Sequence, residues 1–228
     1  MSQETPTLRI QPRDESHHGL VLRPATIGLF TDLYPFREEM FATMTIADQQ
    51  LLLSPRGAVW EMTRTEAHHL WTLHPGDKNA SPIGFTLISP VFNEPDSGNF
   101  GIFITKSEGL HRGYATLAGL ATANYIFSQP EITNIQSTTL AINTASKAML
   151  GRIGFAPTDV LESFEFLYGL QGKKSLNTHW LLPNPASGPD TDAIERHFLQ
   201  PSEVATSYVT YLGALAKASI VQLNEDAR

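Results

Sequence analysis

Apolar positions in this chain follow two rhythms, one of period two and one three to four residues apart. GLVLRP (19–24) has the first rhythm and predicts a strand ending at Pro24. Residues 26–53 have the second, with Leu29, Leu33, Phe36, Met40, Phe41, Met44, Leu51 and Leu52 at helical spacing. They predict one or two helices, broken near Pro35. Ser54 followed by Pro55 is a cap and first-turn signature, so a short helix through Trp60 and Met62 is expected next.

Strands return at HHLWTLH (68–74) and PIGFTLIS (82–89), joined by the turn-rich PGDKNAS. NFGIFIT (99–105) predicts a third strand after a Pro/Asp/Gly loop. GYATLAGLATANYIFS (113–128) predicts a helix that Pro130 ends. NIQSTTLAI (134–142) reads as a strand and SKAMLGRI (146–153) as a short helix. FEFLYGL (164–170) and KKSLNTHWLL (173–182) form a hairpin around Gln171-Gly172.

Residues 1–18 read as a loose tail, and PNPASGPD (183–190) reads as a linker. A last helix follows, with Val204, Tyr208, Tyr211, Leu212, Leu215 and Leu223 near one face and Ser202 as its candidate cap. That stripe implies packing against the body or a second copy of the chain. The organisation is therefore an N-terminal tail (1–19), a domain (20–182), and a linker with a helical extension (183–228). The fold class is α/β (α+β): antiparallel hairpins flank one strand–helix–strand unit.

Composition narrows the function classes. The 228 residues are 41% hydrophobic, enough for a buried core. With no cysteine, disulfides and cysteine metal sites are excluded. The polar start MSQETPTLRIQPRDESHH lacks the apolar run of a secretory signal, and no apolar run reaches a membrane span, so a cytoplasmic protein is expected. The net charge of −7 argues against nucleic acid and suits a cationic partner. His68 and His69 are adjacent on a strand and point to opposite faces, so they do not chelate one ion, and no metal is expected there or at His17-His18.

The candidate chemistry begins at LHRGYATLAGL (110–120). A strand, a glycine turn and a helix make a general anion site: the first helical N–H groups lack intrahelical partners, and the helix dipole favours negative charge there. Gly113 and Ala115 leave room for close backbone approach, and His111 and Arg112 add positive charge. The same string equally suits a plain helix start. Neither GxxxxGK[ST] nor GxGxxG is present.

AINTASKAMLGRIGF (141–155) resolves the choice. Asn143, then Ser146, then Gly154-Phe155 resembles the second signature of the GNAT acyl-CoA N-acetyltransferases, and LHRGYA resembles the first. The resemblance spans about residues 20–182. GYAT and the closing THWLL look most like the branch that contains the ribosomal-protein N-terminal acetyltransferases.

The resemblance implies a GNAT fold, with a mixed, mostly antiparallel and splayed sheet flanked by helices. It also implies acetyl-CoA as co-substrate and no metal. The pantetheine arm pairs with strand 99–105, where a bulge aims an N–H from Phe103, Ile104 or Thr105 at the thioester oxygen. The diphosphate rests on N–H groups of His111, Arg112, Gly113, Tyr114, Ala115 and Thr116. Asn143 bonds the pantetheine amides, and Ser146, itself also a candidate helix cap, bonds the leaving sulfur.

Candidate bases are Glu61, Glu94, Asp96 and Glu165, of which Glu165 is taken as the catalytic carboxylate. Trp60, Trp71, Phe103 and Trp180 are either core or acceptor pocket. The acceptor is a small amine or a peptide N-terminus, and the aromatic stripe of the last helix is a candidate homodimer face. Three positions depart from the pattern: Leu110 in the first signature, Leu150 where relatives carry a thiolate-protonating tyrosine, and Asn99 where an acid is common. They motivate a second reading, a non-catalytic module that binds a CoA compound or a protein.

Overall fold

The computed structural model describes residues 5–13, 19–25, 69–76, 80–91, 94–104, 112–164, 174–186 and 199–223. Its strands are β1 (Thr7–Pro12), β2 (Leu20–Pro24), β3 (His69–Pro75), β4 (Gly84–Val91), β5 (Glu94–Ile104), β6 (Asn134–Leu140), β7 (Ala156–Phe164), β8 (Lys174–Pro183) and β9 (Ala218–Leu223). Its helices are α1 (Tyr114–Phe127), α2 (Thr144–Ile153) and α3 (Pro201–Leu215). The strands form a single sheet in the order β7-β8-β6-β5-β4-β3-β2-β1-β9. Every described pairing is antiparallel except β5 with β6, the two strands that α1 connects. The expected mixed sheet and strand–helix–strand unit are present.

Alternation explains how the sheet meets the helices. Leu8 and Ile10 of β1, and Trp71 and Leu73 of β3, share one core with Ala118, Leu120, Ala121 and Ile126 of α1 and Leu150 and Ile153 of α2. The intervening Thr72 and His74 point to the other face, where His74 Nδ1 donates to the Ala80 carbonyl at 2.6 Å. β2 is buried at three successive residues, Leu20 to Leu22, so both of its faces are covered.

The structure corrects several expectations. The tail is not loose throughout: Thr7–Pro12 is a strand, because TLRIQP alternates and finds partners in both β2 and β9. β9 is the second correction. The chain turns at Lys217, and Leu223 pairs with Thr7 in the sheet instead of continuing the helical stripe. β5 begins at Glu94, five residues before the expected start: the register shifts after Pro90↔Gly98, and the next residue of β4, Val91, faces Glu94, so the residues 95–97 left unpaired with β4 lie on β5. β7 runs over Ala156–Phe164, a strand not expected before residue 164, and residues 165–170 of the expected strand lie outside the described residues. The cap of α3 is Gln200 in a capping box with Glu203, with Pro201 at the first turn and Ser202 inside the helix. The helices expected within 26–53 and after Ser54 lie outside the described residues.

α3 docks at the end of α2. Gly154 closes α2 at φ 115°, a left-handed conformation that suits glycine. A Cβ there would lie 2.8 Å from Tyr211 N and 2.9 Å from the Ser207 carbonyl oxygen, and Ser207 Oγ donates to the Gly154 carbonyl. The GF pair therefore sets the seat of α3, and Val204, Ser207 and Tyr211 form its buried face.

Candidate active site

β5 and β6 pair only over Ser97↔Asn134, Gly98↔Ile135 and Asn99↔Gln136. Beyond this seam both strands continue, β5 to Ile104 and β6 to Leu140, without pairing each other. The sheet is therefore splayed at its centre. β5 stays paired with β4 as far as Gly84↔Ile104, and β6 with β8 as far as Leu140↔Asn177, so each wall of the cleft is braced from outside.

Backbone directions on β5 can be read from three contacts. The Phe100 carbonyl faces β6 and accepts from Ser137 Oγ at 3.1 Å. The Gly101 carbonyl faces β4 and accepts from Thr86 Oγ1 at 3.1 Å. The Phe103 carbonyl also faces β4, where a Cβ on Gly84 would approach it to 2.0 Å. Strand alternation then turns the N–H and C=O of Ile102 and Ile104 toward the cleft. Within Phe103–Thr105, the edge of Phe103 is committed to β4, and Thr105 lies outside the described residues. The expected bulge is absent from 98–104, where the ladder with β4 is regular.

At the open end stands the start of α1. Gly113 is its N-cap at φ 76°, ψ −1°, with no side-chain cap and no acid in the first turn. The first intrahelical bond runs from Leu117 N to Gly113 O, so the N–H groups of Tyr114, Ala115 and Thr116 have no acceptor within the helix. A Cβ on Gly113 would meet nothing within 4 Å. Arg112 and Gly113 are exposed, whereas the Tyr114 side chain is buried in the core, which leaves only its backbone for a ligand. Arg112, Gly113 and Thr116 line a cavity of about 570 Å³ that Arg152 and Lys217 also line. The last two were not singled out in the sequence, where nothing distinguishes them from other surface cations. His111 lies outside the described residues.

The second signature is resolved in detail. Asn143 is the N-cap of α2, its Oδ1 accepting from Ser146 N at 3.1 Å. Ser146 is thus the third residue of the helix, not its cap, and its hydroxyl is not used for capping. The capping bond occupies the Asn143 oxygen and leaves the amide donors for other partners. Leu150 is fully buried in the core, so this position presents no group to a leaving thiolate.

The acids fall elsewhere. Glu94 Oε2 accepts from Gln136 Nε2 at 2.6 Å and Ser97 Oγ at 3.1 Å. Asp96 Oδ2 accepts from Thr133 Oγ1 at 3.0 Å. Asp96 bridges the closed end of the β5–β6 seam, and Glu94 reaches Gln136, the last residue of β6 paired before the splay. Asn99 is exposed at the last pair before the splay. Glu61, Glu165 and Trp60 lie outside the described residues. Trp71 and Trp180 are core, with Nε1 donating to the Pro6 carbonyl at 2.7 Å and to Thr139 Oγ1 at 3.0 Å. Phe103 is buried against Phe85 with ring centroids 5.8 Å apart.

Among the described residues, the perturbed titrations lie outside this constellation. Burial holds the His74 imidazole below its usual range and pushes the Tyr125 and Tyr211 phenols up; none of the three lines the cavity. Among the described residues no three metal-ligating side chains converge, and no helix is long and apolar enough to cross a membrane. His17, His18 and His68 lie outside them.

A family model, the acetyltransferase (GNAT) domain, matches residues 19–156. No curated protein matches the chain in sequence. Solved structures share the fold at low identity. Mycobacterium smegmatis RimJ in complex with CoA-disulfide is 15% identical, covering 92% of this chain and 96% of its own, with a TM-score of 0.60. RimL, a ribosomal L7/L12 alpha-N-protein acetyltransferase in complex with coenzyme A, is 15% identical, covering 77% and 99%, with a TM-score of 0.58. Vibrio cholerae spermidine N-acetyltransferase in complex with CoA and spermine is 15% identical, covering 73% and 96%, with a TM-score of 0.56.

Proposed function

Because this chain belongs to the GNAT acetyltransferase family, we propose that it moves the acetyl group of acetyl-CoA to a primary amine by direct attack in a ternary complex. The observation that carries this reading is the splay itself: an open backbone edge at Ile102 and Ile104 leads to an uncapped helix start at Gly113.

In this reading the diphosphate rests on backbone N–H groups between His111 and Thr116, where the dipole of α1 favours anions. The pantetheine arm adds to β5 as a short strand. Ile102, Ile104 and Thr105 replace the Phe103–Thr105 set as the backbone groups that hold the arm and polarise the thioester carbonyl. The Asn143 amide donates to a pantetheine carbonyl while its oxygen keeps α2 capped.

The acceptor must arrive neutral. A lysine amine has a reference pKa of about 10.4 and an α-amine about 7.7–8.0, so a carboxylate removes the proton, directly or through water. Glu165 is our candidate, since Glu94 and Asp96 are committed to the β5–β6 seam. The amine lone pair attacks the thioester carbon, the C–S bond breaks, and the sulfur leaves as a thiolate. Ser146, free of capping duty, donates to that sulfur.

The acceptor class is a small amine or a peptide N-terminus. The net charge of −7 suits a cationic amine. Residues 20–182 carry the reaction in this reading, and a cytoplasmic setting belongs to the same proposal. Leu212 and Val221 are each 50% exposed, which supports a homodimer through the C-terminal extension. Sedimentation of the intact chain tests this: a dimer mass is expected, and a monomer mass at all concentrations contradicts it.

Titration calorimetry with acetyl-CoA, followed by thiol release across a panel of amines, tests the function. Binding with turnover on at least one amine is expected. No binding at millimolar acetyl-CoA overturns the proposal. Binding without turnover on any amine favours the second reading, a CoA-binding module, which the burial of Leu150 and the amide at Asn99 support.

A further inference from the structure

Three hydroxyls stand in a row on β6, at Ser137, Thr138 and Thr139, and the fold uses the outer two. Ser137 Oγ donates to the Phe100 carbonyl at 3.1 Å, and Thr139 Oγ1 accepts from Trp180 Nε1 at 3.0 Å. Both are buried, on the face that carries Ile135 into the core beneath α1 and α2. Alternation turns Thr138 to the opposite face, where it is exposed.

On that face the splay has an open mouth. Asn99↔Gln136 is the last pair of the seam, and two residues further along each strand stand Gly101 and Thr138. Alternation puts all four on one face. Gly101 offers Thr138 no side chain at the facing position. Leu87, the partner of Gly101 on β4, leans over it: a Cβ on Gly101 would lie 3.3 Å from Leu87 Cγ. Behind Thr138, β8 presents His179 at the paired position, with Nδ1 3.4 Å from Thr138 Oγ1. The mouth thus has an apolar wall at Leu87, a bare strip at Gly101, and a hydroxyl backed by an imidazole.

The contact with His179 leaves Thr138 an acceptor in either tautomer. If Nδ1 accepts, the hydroxyl proton is committed and both oxygen lone pairs remain; if Nδ1–H donates, one lone pair remains. In the proposed function the thioester lies along the edge of β5 and a neutral amine attacks it. Anchoring one N–H of that amine fixes the direction of its lone pair, and alignment of this kind speeds attack. We infer that Thr138 Oγ1 accepts an N–H of the acceptor amine, that His179 positions the hydroxyl, and that the acceptor enters by the face opposite α1. The inference rests on the proposed function. Thr138 takes no proton: the one lost in the reaction goes to the carboxylate. The first carbons of the acceptor lie over Gly101 against Leu87, which suits a primary amine on an apolar stem.

An exposed threonine on a strand also has a plain role, since β-branched residues favour the pleated surface. Valine fills that role equally well, so Thr138→Val separates the two. Full-length wild type, Thr138→Val, Thr138→Ser and His179→Phe are compared in calorimetry with acetyl-CoA and in thiol release with two probes, spermine and the C-terminally amidated peptide Ser-Ala-Ala.

Thr138→Val should raise KM for the amine by about tenfold, the scale of one lost hydrogen bond, with the acetyl-CoA dissociation constant and Tm unchanged. Thr138→Ser should keep the wild-type KM, and His179→Phe should raise it by about threefold, since the hydroxyl remains and only its orientation is lost. An unchanged amine KM in Thr138→Val overturns the inference, as does a loss that serine fails to rescue. A second measurement needs no variant: nitrogen-15 NMR of the wild type, saturated with CoA and titrated with each probe. The Thr138 and Gly101 amides should move, and if neither probe moves them the inference falls. Failure of the proposed function reads differently, as a wild type that binds neither acetyl-CoA nor CoA.

Discussion

α1 and α2 begin in the same way topologically, each at the C-terminal end of a central strand, yet their first turns are built oppositely. α2 is capped by its own chain: Asn143 Oδ1 receives the Ser146 N–H. α1 starts on a left-handed glycine with no side-chain cap and no acid nearby. A capping side chain contributes about 1 kcal/mol to a helix, so its absence at α1 leaves N–H groups in need of an acceptor from elsewhere. At α2 the protein supplies that acceptor; at α1 a ligand can. Two helix starts that look equally suited to anions in sequence are thus separated by a single side-chain bond.

The largest expected effect breaks α1. Gly113→Glu sets a carboxylate where the diphosphate is proposed, and like-charge contact costs several kcal/mol. Acetyl-CoA affinity should fall by at least about 100-fold in calorimetry. The fold should survive, because a Cβ there meets nothing within 4 Å. The left-handed φ should cost about 1–2 kcal/mol, seen as a Tm lower by a few degrees.

Next in size is the pair of substitutions that separates the two uses of Asn143. Asn143→Ala removes the cap and the amide together, so Tm should drop by about 2–4 °C while KM for acetyl-CoA rises. Asn143→Ser keeps a capping oxygen and removes the amide donors. Its Tm should stay near wild type while KM rises about tenfold, the worth of one lost hydrogen bond. An unchanged KM in the serine variant would reduce Asn143 to a cap alone.

A smaller change is expected at Ser146. Ser146→Ala should lower kcat by about tenfold at constant KM and constant Tm, since in the proposed reaction its hydroxyl acts only as the sulfur leaves. The smallest effect lies away from both helix starts. His74 has a folded pKa held below its reference value of 6.5 by burial, so its contribution is fully present above pH 6.5 and is lost as pH falls through the folded pKa. His74→Asn should flatten the acid-side decline in stability measured by denaturant titration, without altering acetyl-CoA affinity.

The sequence carried the centre of this molecule better than its edges. Strands β3, β4 and β6, α1 and α2 are marked by short-range periodicity and punctuated by Pro130 and Gly154, and each lies near its expected bounds, while β5 ends near its expected bound and starts five residues early. β1 and β9 were missed because each is six residues long and gains its place by pairing with the other across the length of the chain. Leu223 falls on the helical stripe of α3 and on a strand with equal ease, and only the turn at Lys217 decides between them. At the site, Gly113 and Asn143 were legible as motif positions. The alternation that selects Ile102 over Phe103 was not, since it depends on which edge of β5 faces β4. The hydrogen bonds of Glu94 to Gln136 and of Asp96 to Thr133 were not legible either, because such contacts leave no trace in the one-dimensional pattern.

The central claim is that the uncapped start of α1 receives the diphosphate of acetyl-CoA. Nitrogen-15 NMR of the wild-type protein, titrated with acetyl-CoA, observes that contact directly. The account predicts saturable shifts of the Tyr114, Ala115 and Thr116 amides, larger than those of the first turn of α3, which closes its own capping box. Saturating acetyl-CoA that leaves these three amides unmoved would contradict it.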